Sequence, residues 1–432
     1  TDAVGTDSFT ITVTDGALSD TKVFTIRILE AGDEPTITPE DLTVEEDGAV
    51  SSTVNASDID GDTLTYAVVA GHTGAKGTVA VTNAETGAFT YTPSANENGS
   101  DTFKLSVSDG VYLVEGTYNV TITPVNDAPT SDVPTISPAA PHTADNLTAS
   151  VTNLDDIDGD TVGAIFDWRV DGSSIATLNM PFDSNNTSLA KDYSTSLNDG
   201  TVVNSPLWTS SGHLGGAYHF TGTSDQYISI ADPSNDIMAA NYSIAFWMKH
   251  SGTNAFSNHR TILSKKVANE FTLWMCGNVG CDTDNLLRLT VDGVTQFTSA
   301  QALNEGTWYH VAVTYNGSEL ILYVDGNVDV SRTDTDLATP SDGTEPWRIG
   351  RRWGGENYAG YLDELHFYSR ALSAAQILSL KNNGAAVIKS QETNKGETWT
   401  VAVTPNDSVE DGVTNTASVT VENSLPTCAT LT

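Results

Sequence analysis

The chain has 432 residues, enough for roughly three or four domains of ordinary size. Its 19 Lys and Arg stand against 56 Asp and Glu, a formal net charge of −37 with only 17% charged residues. Such an acidic excess argues against nucleic acid and anionic membrane as partners, and it predicts self-repulsion unless cations neutralise clustered carboxylates. No apolar run is long enough to span a bilayer. The opening stretch TDAVGTDSFTITV is already strand-like, so we expect a segment of a longer protein rather than a signal peptide. Three cysteines make no disulfide scaffold. Cys276 and Cys281 enclose a short loop tip and are expected to bridge in an oxidising compartment; two small buried thiols are the alternative, and Cys428 is left over.

In chain order, the first organising fact is a repeat. GTDSFTITVTDG at 5–16 aligns with GSDTFKLSVSDG at 99–110, and GDEPT at 32–36 aligns with NDAPT at 126–130, both at an offset of 94 residues. Residues 1–31 then read as the closing strands of one unit and 32–127 as a complete second unit. Acidic motifs stand at the ends of that unit: Asp33 and Glu34, Glu45-Glu46-Asp47, Asp58-Ile59-Asp60-Gly61-Asp62, Asp109-Gly110 and Asn126-Asp127. Hard oxygen ligands gathered at domain junctions suit Ca²⁺, which takes six to eight oxygens. An EF-hand is excluded, because Gly61 comes too early and the strand-like TLTYAVV follows. Turn formation by Asp-Gly and Asn-Asp is the bland alternative.

The motifs VEEDG, SDIDGD, SDG and VNDAP resemble those of the cadherin-like tandem repeats of bacterial surface proteins. The resemblance implies calcium between successive domains, stiffening a rod. By position it assigns Asp33, Glu46, Asp58, Asp60 and Asp109 to one junction. VNDAP is shorter than the linker motif of cadherins proper, which leaves the ion count per junction open.

Residues 128–185 read as about four strands of an immunoglobulin-like sandwich that then stop, and 386–425 as about three more with no start. Neither piece closes a sandwich of about seven strands. We therefore expect one split host domain with 186–385 inserted into a loop, and 426–432 as a linker or the start of a further unit. Two separate small domains are the alternative. The host's acidic loops, with Asp156, Asp158 and Asp160 in one and Asp407 in the other, are further calcium candidates.

Between 186 and 385, short apolar runs alternate with period two and are bounded by Gly, Asn, Asp or Ser, as in half-buried antiparallel strands. The clearest hairpin spans 307–326, where Asn316-Gly317 offers the positive φ angles of a tight turn. Six of the eight tryptophans fall in this stretch. KDYSTSLNDGTV, GGAYHFTGTSDQYISI, YSIAFWMK, GTWYHVAVTYNGSELILYVDG and GYLDELHFYSRALSAAQI are similar, in order and spacing, to the signatures of a laminin-G-like, concanavalin-A-type jelly roll. That resemblance implies a carbohydrate- or protein-binding module, often with bound calcium. It assigns Asp192, Asp199 and Asp363 to such an ion; the alternative is a turn at Asp199-Gly200 and a backbone-capping Asp363.

For binding, the loop GRRWGGENYAG at 350–360 sets Arg351, Arg352, Trp353, Glu356, Asn357 and Tyr358 between glycines. Aromatic rings stack on the C–H faces of sugars, and Arg, Asn and carboxylates pair with their hydroxyls. The loop at 249–260 adds His259 and Arg260, and the Cys276–Cys281 tip adds Asp284. For catalysis, strict alternation along Tyr361–Phe367 points Asp363 and Glu364 to opposite faces, and no glycosidase, triad or zinc-protease motif stands out.

The expected fold class is all-β: tandem sandwiches with an inserted jelly roll. The whole arrangement resembles a secreted bacterial adhesin of the RTX type, monomeric and extracellular at the cell surface. It would bind glycan or polysaccharide, glucan being one option, on another cell or in a biofilm matrix, and would be neither an enzyme nor membrane-inserted. A protein-binding laminin-G module and a glycosidase-associated domain are the competing readings.

Overall fold

The computed structural model describes residues 5–28, 32–232, 237, 240–251, 259–265, 271–277, 283–291, 293–333 and 345–424. Strand makes up about 51% and helix 4%: the protein is all-β, built from tandem sandwiches and an inserted jelly roll. It divides into two compact units, 1–126 and 127–432.

The first unit shows the repeat in its hydrogen-bond register. Strands Gly5–Thr14 and Ser19–Ile28 pair with Gly5 opposite Ile28 and Thr14 opposite Ser19. Strands Gly99–Ser108 and Leu113–Thr123 pair with Gly99 opposite Ile122 and Ser108 opposite Leu113, the same register displaced by 94 residues. In both hairpins an aspartate closes the turn. Asp15 Oδ1 accepts from the amides of Ala17 and Leu18, and Asp109 Oδ1 from those of Val111 and Tyr112. The glycines that follow, Gly16 and Gly110, take φ of +95° and +98°, which side chains resist. In the second hairpin the alternating Phe103, Leu105, Tyr118 and Val120 are buried beneath a second sheet of Val50–Thr53, Ala88–Pro93 and Gly77–Asn83. Phe103 stacks on Tyr118 at 5.1 Å between centroids. The equivalent Phe9 and Phe24 of the first hairpin also stack, at 5.3 Å, but remain 47% and 41% exposed.

In the second unit, strands from before and after the jelly roll lie side by side. Gly163–Val170 pairs with Thr398–Asn406, Gly163 facing Asn406 and Val170 facing Trp399. Leu147–Ser150 pairs with Val387–Ile388. Trp168 and Trp399 meet edge-on at 6.2 Å inside this sandwich. The jelly roll consists of an eight-stranded and a ten-stranded sheet with one apolar core between them, including Phe246, Trp347, Ile349 and Phe367.

Two expectations change here. The jelly-roll sheet begins before residue 186: Leu178–Met180 pairs with Leu365–Phe367, and Leu178, Met180 and Phe182 lie in its core. A short LNM run with every residue buried has no alternation from which to assign a sheet. The hairpin at 316–317 is not a two-residue turn, since Tyr315 pairs with Leu320. Asn316 Oδ1 accepts from the amides of Ser318 and Glu319, and Gly317 alone of the pair takes positive φ. Helix α1 (Ala374–Asn383), opened by a Ser373/Gln376 capping box, packs Ile377 against Ala245 and Ala312 on the outer face of the eight-stranded sheet.

Candidate functional site

In the first unit the acidic corner is built by backbone geometry. Asp58 Oδ1 accepts from the amides of Asp60 and Asp62 at 2.8 and 3.3 Å, and Asp60 Oδ2 accepts from the Asp33 amide at 2.8 Å. Gly61 takes φ of +77° to let the loop fold around the carboxylate. Donor oxygens of Asp58, Asp60 and Asp62 lie within 4.8 Å of one another, the one such trio among the described residues. Nearby in sequence, Glu46 is 1% exposed; its Oε1 accepts from the Val125 amide at 2.7 Å and its Oε2 is buried without a partner. Asp58 Oδ2 is also buried and unpartnered.

The second unit repeats this loop. Asp156 Oδ1 accepts from the Asp158 and Asp160 amides at 2.9 and 3.3 Å, and Asp158 Oδ2 from the Asp127 amide at 2.8 Å. Asp156 Oδ2 is again buried without a partner, and Asn126 precedes the linking Asp127. Asp109 and Asp407 each give one oxygen to two turn amides, Asp407 to those of Val409 and Glu410.

The expected trio Asp192, Asp199 and Asp363 does not come together. Asp192 is fully buried, and both its oxygens are occupied: Oδ1 by the Asn179 and Ser194 amides, Oδ2 by Ser194 Oγ and the Asn198 amide. Asp199 accepts from the Asp192 amide. The loop thus closes on itself as a polar turn. The carboxylate that does approach Asp363 is Asp183, and the tight loop 212–216 ties the two together. His213 and Leu214 amides donate to Asp363 Oδ2 at 2.6 and 3.0 Å, and the Gly216 amide to Asp183 Oδ1 at 2.8 Å. Burial raises both carboxyl groups, Asp183 to about 6, each reinforced by a neighbouring acid, and Asp363 Oδ1 has no partner. Asp183 lay in the sequence as part of MPFDSNN, without a companion motif to single it out.

The binding loop forms a small hairpin, Arg351–Arg352 with Gly355–Asn357, docked on the strand Arg260–Lys265. Arg351 pairs with Asp225 at 3.1 Å, Asn357 Nδ2 donates to the same carboxylate at 3.1 Å, and Arg352 pairs with Glu356 at 3.3 Å. The Arg348 guanidinium lies 3.5 Å over the Trp353 ring and 4.6 Å over Tyr227. Farther along the same face, His259 packs on Trp274 at 3.7 Å, with Arg288 5.2 Å from that ring. Tyr227 and Arg348 were legible in principle: in PWRIG the neighbours Trp347 and Ile349 point into the core, so Arg348 points out.

Two expected binding residues are corrected. Tyr358 is fully buried in the core, where the bend at Gly350 closes over Phe220 beside it. Arg260 is 6% exposed and turned inward, bonding Asn285 Oδ1 at 2.9 Å. Asp284 is exposed. Cys276 is disulfide-bonded, while Cys281 and Cys428 lie outside the described residues.

Residues 32–125 match the family model of the bacterial cadherin-like domain, and residues 221–378 that of the concanavalin A-like lectin/glucanases superfamily. No curated protein matches the chain. Among solved structures, domain 4 of AbnA, a GH43 extracellular arabinanase from Geobacillus stearothermophilus, in complex with arabinotriose, aligns at 18% identity and a TM-score of 0.40 over 50% of this chain and 100% of that one. The binding domain of Paraclostridial Mosquitocidal Protein 1 aligns at 16% identity and 0.40 over 48% of this chain and 52% of that one. The receptor-binding domain of botulinum neurotoxin C/D mosaic serotype aligns at 18% and 0.38 over 48% of this chain and 51% of that one. The chain thus carries a segment that matches the bacterial cadherin-like domain, followed by one that matches the laminin-G/concanavalin-A-like domain.

Proposed function

We propose that this chain is a calcium-dependent segment of a bacterial cell-surface adhesin of the RTX type, whose jelly roll binds glycan or polysaccharide on a target cell or matrix. The observation that carries the binding reading is the band of rings and guanidinium groups on the outer face of the ten-stranded sheet, formed by Tyr227, Arg348 and Trp353 with His259, Trp274 and Arg288 beyond. Ring faces of this kind take the apolar side of a sugar, while Asp225, Asn357 and Glu356 offer hydrogen bonds to its hydroxyls.

The acidic corners fit calcium. Glu46 Oε2, Asp58 Oδ2 and Asp156 Oδ2 are buried carboxylate oxygens without partners, the groups a hard cation would occupy. Asp183 and Asp363 fit a further ion in the jelly roll, through the unpartnered Asp363 Oδ1. Bound calcium would supply charge neutralisation. The chain's own part is to hold the carboxylates in place with backbone amides. The working state is an extracellular monomer at the cell surface, with neighbouring domains of the same long chain, and without nucleic acid or membrane insertion.

A glycan array run with and without calcium tests the proposal. Binding that is lost in Trp353→Ala, with the melting curve unchanged, is the expected result. A silent array beside retained cell adhesion would overturn the glycan reading in favour of a protein-binding head.

A further inference from the structure

The outer face of the eight-stranded sheet carries buried polar groups that neither the binding face nor the acidic corners use. The strand Ala359–Tyr368 bulges against Tyr242–His250: Trp247 lies opposite Asp363, and Ala245 opposite His366. Glu364 sits in that bulge at φ of +52°, a conformation a non-glycine residue takes only where its surroundings compel it. On the far side of Tyr242–His250, His310 lies opposite the same Trp247. His310, Glu364 and His366 enclose, with Trp247, Leu214 and Leu380, a cavity of about 10 Å³ beneath the C-terminal turn of α1. That is the room of one water molecule or one ion.

The polar lining of this cavity is incomplete. His366 Nδ1 is 2.9 Å from the Glu364 carbonyl oxygen, so Nδ1 carries the proton and Nε2 presents a lone pair. His366 Nε2 and His310 Nδ1 are both buried without partners, in side chains of residues 5% and 3% exposed. Glu364 Oε2 stands 3.8 Å from His366 Nε2, near the ~3.4 Å that separates two ligands on a tetrahedral zinc ion. An imidazole whose second nitrogen donates to a backbone carbonyl is the usual arrangement of a metal-ligating histidine.

We propose that His310, Glu364 and His366 form a site for one borderline divalent metal ion, zinc being its representative. Two imidazoles and one carboxylate with a fourth position open are a zinc donor set, whereas calcium asks for six to eight oxygens, so the site differs chemically from the acidic corners. Metal entry closes the set by turning the His310 ring toward the other two, since only Asp58, Asp60 and Asp62 among the described residues already hold three donors within 4.8 Å. A second cavity of about 440 Å³, which shares Glu364 and His366 as walls, supplies a route in and space for a water as fourth ligand. The ion would join two strands across Tyr242–His250 and fill the space under α1.

The test uses the full chain, stripped of metal and returned to excess calcium so that oxygen sites are filled, then titrated with zinc and with cobalt. We expect one equivalent of zinc, a cobalt absorption spectrum of a nitrogen–oxygen site, and affinity at least about tenfold weaker in both His366→Asn and His310→Asn. Zinc uptake that is absent in the native chain, or unchanged in the two variants, overturns the proposal. Where circular dichroism shows a histidine variant misfolded, Glu364→Gln, which keeps shape and size, decides: weakened uptake supports the site, and undiminished uptake overturns it.

Discussion

Tyr193, in the first long loop of the jelly roll, donates a 2.8 Å hydrogen bond to Asp411, in the last turn of the host sandwich. The same carboxylate accepts from Asn406 Nδ2 at 2.8 Å and from the Lys191 ammonium. Residues more than two hundred positions apart thus share one anion at the joint between host and insert. Asp411→Ala leaves the Tyr193 hydroxyl and the Asn406 amide without their acceptor. The expected loss is roughly 1–3 kcal/mol in urea unfolding followed by tryptophan fluorescence. That signal reports the second unit alone, because all eight tryptophans lie at or beyond Trp168.

In the first unit, Tyr91 Oη donates to Asp101 Oδ2 at 2.6 Å inside the sandwich. Burial alone would raise Asp101, but the bonds from Tyr91 and from the Ala75, Lys76 and Thr102 amides outweigh it and leave the carboxyl below its usual value. A depressed carboxyl contributes stability above its unfolded pKa of about 3.9, and that contribution is lost as pH falls through the lower folded value. Asp101→Asn is therefore expected to lower the calorimetric transition of the first unit at neutral pH, and to lose less than the native chain on acidification below about pH 4. An unchanged acid slope would contradict this.

Calcium removal is expected to lower the melting temperature of the first unit by several degrees, with a dependence on calcium concentration, because an ion that binds only the folded state stabilises it by mass action. Glu46→Gln and Asp58→Asn, which remove the two unpartnered buried oxygens' charge, should each shrink the calcium-induced shift. Calorimetry with and without chelator measures both, and an identical profile would count against the corners as ion sites.

On the jelly roll, Tyr227→Ala and Arg348→Ala are expected to weaken glycan binding roughly tenfold each, about 1.4 kcal/mol, as the loss of an aromatic or guanidinium anchor does. Tyr358→Phe should leave affinity unchanged, because that ring is wholly in the core. Titration calorimetry on the glycan found by array separates the two outcomes.

Much of this architecture was readable from residues. Alternation in FTITV and FKLSV, with an Asp-Gly turn after each, carries the same hairpin register twice. The spacing of Asp58, Asp60 and Asp62, with Gly61 between, was enough to expect a loop wrapped around carboxylates, since that geometry is local. The sequence shows 350–360 as a polar, aromatic loop between glycines, and the structure folds it into a hairpin of Arg351–Arg352 with Gly355–Asn357. Tyr358 turns into the core, and nothing in NYAG shows where the chain turns inward. Asp363 and Glu364 were expected on opposite faces. The bulge breaks the period of two and brings Asp363 and His366 to one side, and a bulge leaves no mark in composition.

The sequence by itself determined the local and periodic features: all-β character, the 94-residue repeat, the acidic turns and the strands on either side of an insert, because period-two burial and turn chemistry act over a few residues. Only the tertiary structure decided the pairs that chain distance hides. It set Asp183 rather than Asp192 beside Asp363, Arg348 over Trp353, and His310 beneath the same helix as His366. Those partnerships depend on strand order and on one extra residue in one strand, which packing selects from alternatives that look alike along the chain.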